Sequence, residues 1–288
     1  MHIPVLLHES IAALALTEGD VVVDGTFGGG GHSAVLYANP VVQKLICVDL
    51  DEEAQERFKV LFGTDTRATF VHDNYKNAAA IMATANVATV HKVLLDLGTS
   101  SFQLDNDTRG FSFRSDTPLR MTFSAEGSHT GFTAYDIVNT WEETSIADII
   151  FYYGEERFAK RIARAIVSAR AEGVITTSGA LAQLIEKVLP RRGKLHPATK
   201  TFQALRIAVN DELTTVREAL DAWWAVVPSQ GRIAVITFHS LEDRVVKLWM
   251  KAQDKGRVIT KKPIVPEDAE LRNNPRSRSA KLRVIEKE

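Results

Sequence analysis

The stretch Val21–Ser33 (VVVDGTFGGGGHS) places five glycines within seven positions, directly after a short apolar run and before a helical pattern. Glycine lets a backbone turn sharply and lets a ligand press against it without a Cβ in the way. A helix N-terminus beyond such a turn offers free N–H groups to an anionic group. Three ligand classes compete for this signature. A phosphate loop needs Gly-Lys-Ser/Thr, and here the loop ends Gly31-His32-Ser33, with no lysine. A dinucleotide site has Gly28-x-Gly30 in its favour, but the third small residue is Ser33 and a lone glycine signature is weak. An S-adenosylmethionine site fits better, because acids end the neighbouring strands. Asp24 closes the first strand, where it can receive an ammonium group. Asp49 closes the second, where it can accept bonds from both ribose hydroxyls. Asp51 reads as the N-cap of the next helix. Tyr75, in His72-Asp-Asn-Tyr75 after the third strand, covers an adenine or packs in the core; both readings stand. Asp96 ends the fourth strand in LLDLGTSS, facing both cofactor and target in enzymes that methylate amines.

The elements that must position these residues follow from periodicity. Val21–Asp24, Leu45–Asp49, Thr69–His72 and Val90–Leu97 read as buried strands; residues 31–39, 52–62 and 74–85 read as helices between them. Apolar strands alternating with helices imply a parallel sheet covered on both faces. From about Asn106 to Asn210 no convincing strand occurs. Residues 106–131 read as loop, and 134–139, 145–151, 155–171, 177–189 and 197–209 as helices. In the third of these, Phe158, Ile162, Ala165, Ile166 and Ala169 form an apolar stripe opposite Arg157, Lys160, Arg161 and Arg164. The sheet pattern resumes with a helix at 211–227, a strand at 232–238, a helix opened by a capping box at Ser240-Leu-Glu-Asp243, and a closing strand near SAKLRVIEK. The expected architecture is an α/β doubly wound sheet interrupted by a helical insertion. Residues 1–106 and 211–288 form the cofactor domain and 107–210 the insertion.

Composition narrows the partners. The chain has 288 residues, 45% hydrophobic and 25% charged, with one cysteine, Cys47. That excludes a disulfide framework and a cysteine-rich zinc site, and no metal is expected. The start MHIPVLLHES does not read as a secretory signal, so a cytoplasmic enzyme is expected. Net charge is −1, yet residues 157–206 hold eleven Lys or Arg against Glu172 and Glu186. Such segregation points to a polyanion touching one region.

Over nearly its whole length the chain resembles the MraW (RsmH) family of bacterial ribosomal RNA methyltransferases. The matching stretches are HIPVLLHES, DGTFGGGGHS, LLDLGTSSFQLD, RGFSFR, YGEERFAKRIARAI, HPATKTFQALRIAVNDEL, FHSLEDRVVK and NPRSRSAKLR. The resemblance implies a Rossmann-like class I methyltransferase sheet that uses S-adenosyl-L-methionine to methylate the exocyclic amine of a cytosine in small-subunit ribosomal RNA, within an assembled subunit. It implies that Gly30, Gly31 and His32 contact the cofactor, that Asp49 holds its ribose, that Tyr75 lies on the adenine side, and that Asp96 and Gln103 complete the pocket. The helical insertion would recognise RNA, with Arg157, Lys160, Arg161 and Arg164 on phosphates. Asp96 is also the candidate acceptor for the amine in catalysis. His239 is a candidate base contact or supporting residue, Ser240 a helix cap, and Phe111 and Phe113 either stack on a base or pack internally.

The sequence departs from the family in two loops. TSSFQLD stands for the usual VSSPQLD, and Pro118-Leu-Arg-Met-Thr-Phe123 lacks the acid and arginine usual there. The stretch from Asp254 to Pro275 is short. Three other readings compete: a DNA amine methyltransferase, which would carry Asp/Asn-Pro-Pro-Tyr/Phe where this chain has Asp96-Leu-Gly-Thr; a cofactor-binding assembly factor without activity; and a nicotinamide oxidoreductase, for which no hydride-transfer site is evident.

Overall fold

The computed structural model describes residues 3–99, 108–114, 116–124, 127–189 and 195–288. The chain divides into two compact units, Met1–Gly98 with Leu213–Glu288, and Thr99–Glu212. The first division falls at Gly98, two residues beyond the end of β4 at Asp96.

The first unit is built on seven strands: β1 (Asp20–Asp24), β2 (Val42–Asp49), β3 (Ala68–His72), β4 (Lys92–Asp96), β5 (Arg232–Thr237), β6 (Gly256–Val258) and β7 (Lys281–Lys287). Their order is β3-β2-β1-β4-β5-β7-β6. The first five neighbours run parallel and β7 runs antiparallel to β5. This is a doubly wound, Rossmann-like sheet. The chain order reverses between β1 and β4, the switch point at which the carboxyl ends of such sheets open to ligands. Asp24 pairs in register with Cys47 and Leu94, and Asp96 with Ile236, so the acids sit along one edge.

Alternation along each strand feeds two cores. Val21, Val23, Ile46, Val48, Val93, Leu95, Ile233 and Val235 face one way, against α4 (Ala78–Thr84), α10 (Glu212–Val226) and α11 (Ser240–Lys251). Val22, Leu45, Cys47, Leu94, Ala234 and Ile236 face the other, against α1 (Leu7–Leu14), α2 (Gly31–Ala38) and α3 (Glu52–Phe62). Helix α1 and strand β6 have no counterpart in the periodicity reading. The pairing of β6 with β7 runs only from Gly256 to Val258, too short for a period to register.

The second unit packs α5 (Ala134–Thr140), α6 (Glu143–Tyr152), α7 (Ala159–Glu172), α8 (Ser178–Val188) and α9 (Thr199–Asn210) around Ile137, Ile146, Ile162, Ile166, Leu181 and Leu205. Its only β pairing among the described residues is the isolated bridge between Pro118 and Thr177. The atypical loop Pro118–Phe123 serves this core: Leu119, Met121 and Thr122 are buried, and Asn210 Nδ2 donates to the Met121 carbonyl at 2.7 Å. The last α-helix among the described residues, α12 (Asp268–Asn273), returns to the sheet unit, where Leu6 N–H donates to Glu270 at 2.9 Å, and a 3-10 turn at Pro275–Ser279 follows it.

Candidate functional site

Three hydrogen bonds lace the glycine loop to β2 and β4. The Gly25 N–H donates to the Leu94 carbonyl at 2.9 Å, Phe27 N–H to Val48 at 2.9 Å, and Asp96 N–H to Thr26 Oγ1 at 2.6 Å. Phe27 is buried among Phe58, Phe62 and Phe70, with ring centroids 5.9–6.4 Å away. Gly28 and Gly30 lie at φ +52° and +75°, the left-handed region that side chains resist. A Cβ on Gly30 would collide with Leu61 and Phe27, and one on Gly31 with Pro4. The missing side chains of this pair therefore make room for the protein's own packing, and the opening segment Ile3–Val5 is part of the loop's frame. Thr26, Pro4 and Val5 were not singled out by sequence reasoning. The only sequence signal for Pro4 and Val5 was their place in HIPVLLHES.

His32 is buried, with Nε2 3.1 Å from the Val5 carbonyl and Nδ1 3.8 Å from Asp96 Oδ2. A carbonyl accepts only, so Nε2 carries the proton and Nδ1 presents its lone pair when the ring is neutral.

The acids differ in what they have left to offer. Asp24 is 1% exposed and already accepts from Ser33 Oγ at 2.7 Å and Thr26 N–H at 3.2 Å. It holds the loop and α2 together, and burial raises its pKa to about 6. That is a correction to its reading as a receiver of an ammonium group: the side chain is enclosed. Asp49 is half-buried; Oδ2 accepts from Gly28 N–H at 2.6 Å and Oδ1 from Asp51 N–H at 2.8 Å. Each oxygen keeps further acceptor capacity. Burial pushes its pKa to about 6 despite these two donors. Asp96 is the least satisfied: Oδ1 is buried with no hydrogen-bond partner among the described residues. Burial, with the negative charges of Asp24 and Glu242, raises its carboxyl well above the usual range. A buried acceptor without a donor is costly and marks a place where a ligand group belongs. Tyr75 lies beside the loop, its Cβ 3.2 Å from where a Gly25 Cβ would stand, and packs against the sheet core. Gln103 lies outside the described residues.

Asp51 caps α3, accepting from Glu53 N–H at 3.3 Å. At the end of β5 the expected cap is displaced by one residue. His239, not Ser240, is the N-cap of α11: its Nδ1 accepts from Glu242 N–H at 3.3 Å, and Glu242 Oε2 accepts from Phe238 and His239 N–H at 2.8 and 3.2 Å. An imidazole nitrogen replaces the expected hydroxyl as acceptor. His239 therefore supports the strand end, and Glu242, to which the sequence reading gives no role because it pairs Ser240 with Asp243, closes the box and also bears on Asp96 electrostatically.

In the helical unit, Phe111 stacks on Phe123 at 5.7 Å and Phe113 on His196 at 4.2 Å, so both pack internally. Helix α7 begins at Ala159; Arg157 precedes it, and Phe158 is 36% exposed rather than part of the stripe, whose buried members are Ala159, Ile162, Ala163 and Ile166. Arg157, Lys160, Arg161 and Arg164 are all exposed, and Arg164 Nε lies 3.7 Å from Glu143. Other cations of the basic segment are spent internally: Arg170 donates to Val138 O and Arg206 binds Glu212 through two nitrogens. Arg191, Arg192 and Lys194 lie outside the described residues.

No helix among the described residues is long and apolar enough to cross a membrane. Comparison with known proteins matches a model of the MraW methylase family to residues 1–288. The ribosomal RNA small subunit methyltransferase H of Deinococcus radiodurans is 44% identical over 289 residues, covering 99% of this chain and 89% of that protein. Its namesake from Rhodopseudomonas palustris is 42% identical over 310 residues, covering 99% and 90%. A solved rRNA methylase from Streptococcus thermophilus is a looser likeness, with 12% identity and a TM-score of 0.47 over all of this chain and 99% of that one. Matched from end to end by one family model and by relatives of this similarity, the chain belongs to the MraW methylase family.

Proposed function

We propose that this chain transfers a methyl group from S-adenosylmethionine to the exocyclic amine of a cytosine in small-subunit ribosomal RNA, within the assembled subunit. The names of its relatives support a ribosomal RNA substrate. The observation that carries the chemical reading is Asp96, a strand-end carboxylate at the switch point with one oxygen buried and unpartnered among the described residues.

The strand ends suit such a cofactor. Asp49 has acceptor capacity left on both oxygens for a ribose diol, and a cationic group beside Asp96 would offset the burial that raises its carboxyl. Gly30, Gly31 and His32 would border the cofactor, Tyr75 would take the adenine side, and Gln103 is assigned with them by resemblance. When bound, S-adenosylmethionine supplies a methyl group activated by its sulfonium.

A cytosine amine shares its lone pair with the ring and is a poor nucleophile, so alignment carries much of the rate. Asp96 Oδ1 would accept one amine N–H, turn the lone pair out of conjugation and stabilise the positive charge that develops on nitrogen. The test is labelled-methyl transfer to small subunits from a strain lacking the enzyme, with mass mapping of the nucleosides. Label on the cytosine amine is expected; label on a ring carbon overturns the chemistry. Near-normal turnover by Asp96→Asn at saturating cofactor would leave Asp96 with cofactor binding alone.

A further inference from the structure

Large apolar side chains kept in water are usually scattered, and a group of them marks an interface. The corner joining α6 to α7 keeps three aromatics open: Phe151 is 52% exposed, Tyr152 64% and Phe158 36%. Their exposure does not come from a loose backbone. Phe158 N–H donates to Glu156 Oε1 at 2.9 Å, Gln203 Nε2 to Tyr153 O at 3.0 Å, and Lys200 Nζ to Glu155 O at 2.8 Å. A Cβ on Gly154 would stand 2.6 Å from the carbonyls of Ile150 and Lys200, so glycine lets α9 close directly onto the corner.

The charges beside these rings are equally unspent. The Arg157 guanidinium lies over the Phe158 ring, 4.7 Å from its centroid. Arg157, Lys160 and Arg161 are exposed, and among the described residues none of them pairs with a carboxylate. Arg164 and Lys200 do pair, with Glu143 and Glu156. Exposed Asp148 and Glu155, close in sequence, keep the corner from being a broad basic face.

Phe151 meets Tyr152 edge to face, with centroids 5.1 Å apart, and so props that ring. Resting on the RNA substrate proposed above, we infer that this corner is a platform for an unpaired stretch of RNA: Tyr152 and Phe158 stack on bases while Arg157, Lys160 and Arg161 hold the adjoining phosphates. Aromatic faces gain from bases that are not already stacked in a duplex, whereas duplex RNA is gripped through phosphates and 2′-hydroxyls. Uncompensated cations next to the rings disfavour a protein partner, because protein interfaces exclude charge from their centres.

The test uses the full chain and a short, labelled, unstructured RNA, followed by anisotropy, with a duplex of equal length as competitor. Tyr152→Ala and Phe158→Ala should each weaken single-strand binding about tenfold without changing its salt dependence. Arg161→Gln should lower the slope of log affinity against log salt by about 0.7. Tyr152→Ala should keep its thermal midpoint, since it removes mostly exposed atoms, which separates lost RNA contact from lost folding. Wild-type affinity in the aromatic variants, equal binding of the duplex, or no binding of the single strand by the wild type would each overturn the platform. So would variants that bind RNA normally but lose a dimer in sedimentation, which would assign the surface to a second copy. Methyl transfer to small subunits keeps the two claims apart: transfer by the wild type with undisturbed RNA binding by the variants removes only the platform, and absence of transfer removes the function beneath it.

Discussion

The strand ends of the sheet unit and the α6–α7 corner of the helical unit use polar groups in opposite ways. At the strand ends most groups are committed: Asp24 to Ser33 and Thr26, Asp49 to Gly28 and Asp51, His239 Nδ1 to Glu242, with Asp96 Oδ1 and His239 Nε2 buried and without a hydrogen bond among the described residues. At the corner, rings and cations stand in water on a pinned backbone. A small ligand of fixed shape rewards a preorganised pocket in which few atoms are left open. A long polyanion rewards exposed charge and sequence-tolerant stacking. Under the proposed function, the first arrangement would hold the cofactor and the second the RNA.

The contrast can be broken most severely at Gly31. A valine there would need the space of Pro4, displacing the opening segment that frames the loop; we expect a loss of stability of about 3 kcal/mol or a failure to fold, read by thermal melts. Next in size is Asp96→Asn, expected to lower turnover by about a hundredfold at saturating cofactor if the oxyanion acts on the developing charge, while the thermal midpoint holds or rises. Asp49→Ala should weaken cofactor binding about ten- to hundredfold in calorimetry, the loss of a charge-assisted ribose contact.

A subtler probe is pH. Asp24 and Asp49 both have pKa values raised to about 6 by burial, above the ordinary 3.8. The folded protein therefore holds protons that the unfolded chain has released. The stability this confers is complete below about pH 4 and is lost as pH rises through 6. For Asp24 alone, two pH units correspond to about 3 kcal/mol. Asp24→Asn should flatten the dependence of chemical denaturation on pH across that window. The smallest effect separates cations within the helical unit: Arg164→Gln should alter RNA affinity less than Arg161→Gln, because Arg164 already faces Glu143.

Much of this was legible in sequence because it rests on local rules. Continuous apolar runs named β1, β2 and β4, and acids at their ends named Asp49 and Asp96. The disappearance of strand patterns after Asn106 separated the helical unit. What escaped depends on tertiary neighbours. Nothing local shows that Gly31 is small for the sake of Pro4, or that Asp24 is sealed by Ser33. The cap at His239 was misplaced because a serine next in line is the commoner acceptor. Phe158 fitted the helical period, yet the helix starts one residue later and turns that ring outward. For Phe111 and Phe113 the sequence leaves base stacking and internal packing open, because the contacts that decide, with Phe123 and His196, are tertiary.

The most direct measurement is calorimetric titration of S-adenosylmethionine into the full wild-type chain and its Asp49→Ala variant. Saturable uptake by the wild type, markedly weakened in the variant at an unchanged fold, is the predicted result. No uptake by folded wild-type protein, or equal uptake by both, would contradict a cofactor held at these strand ends.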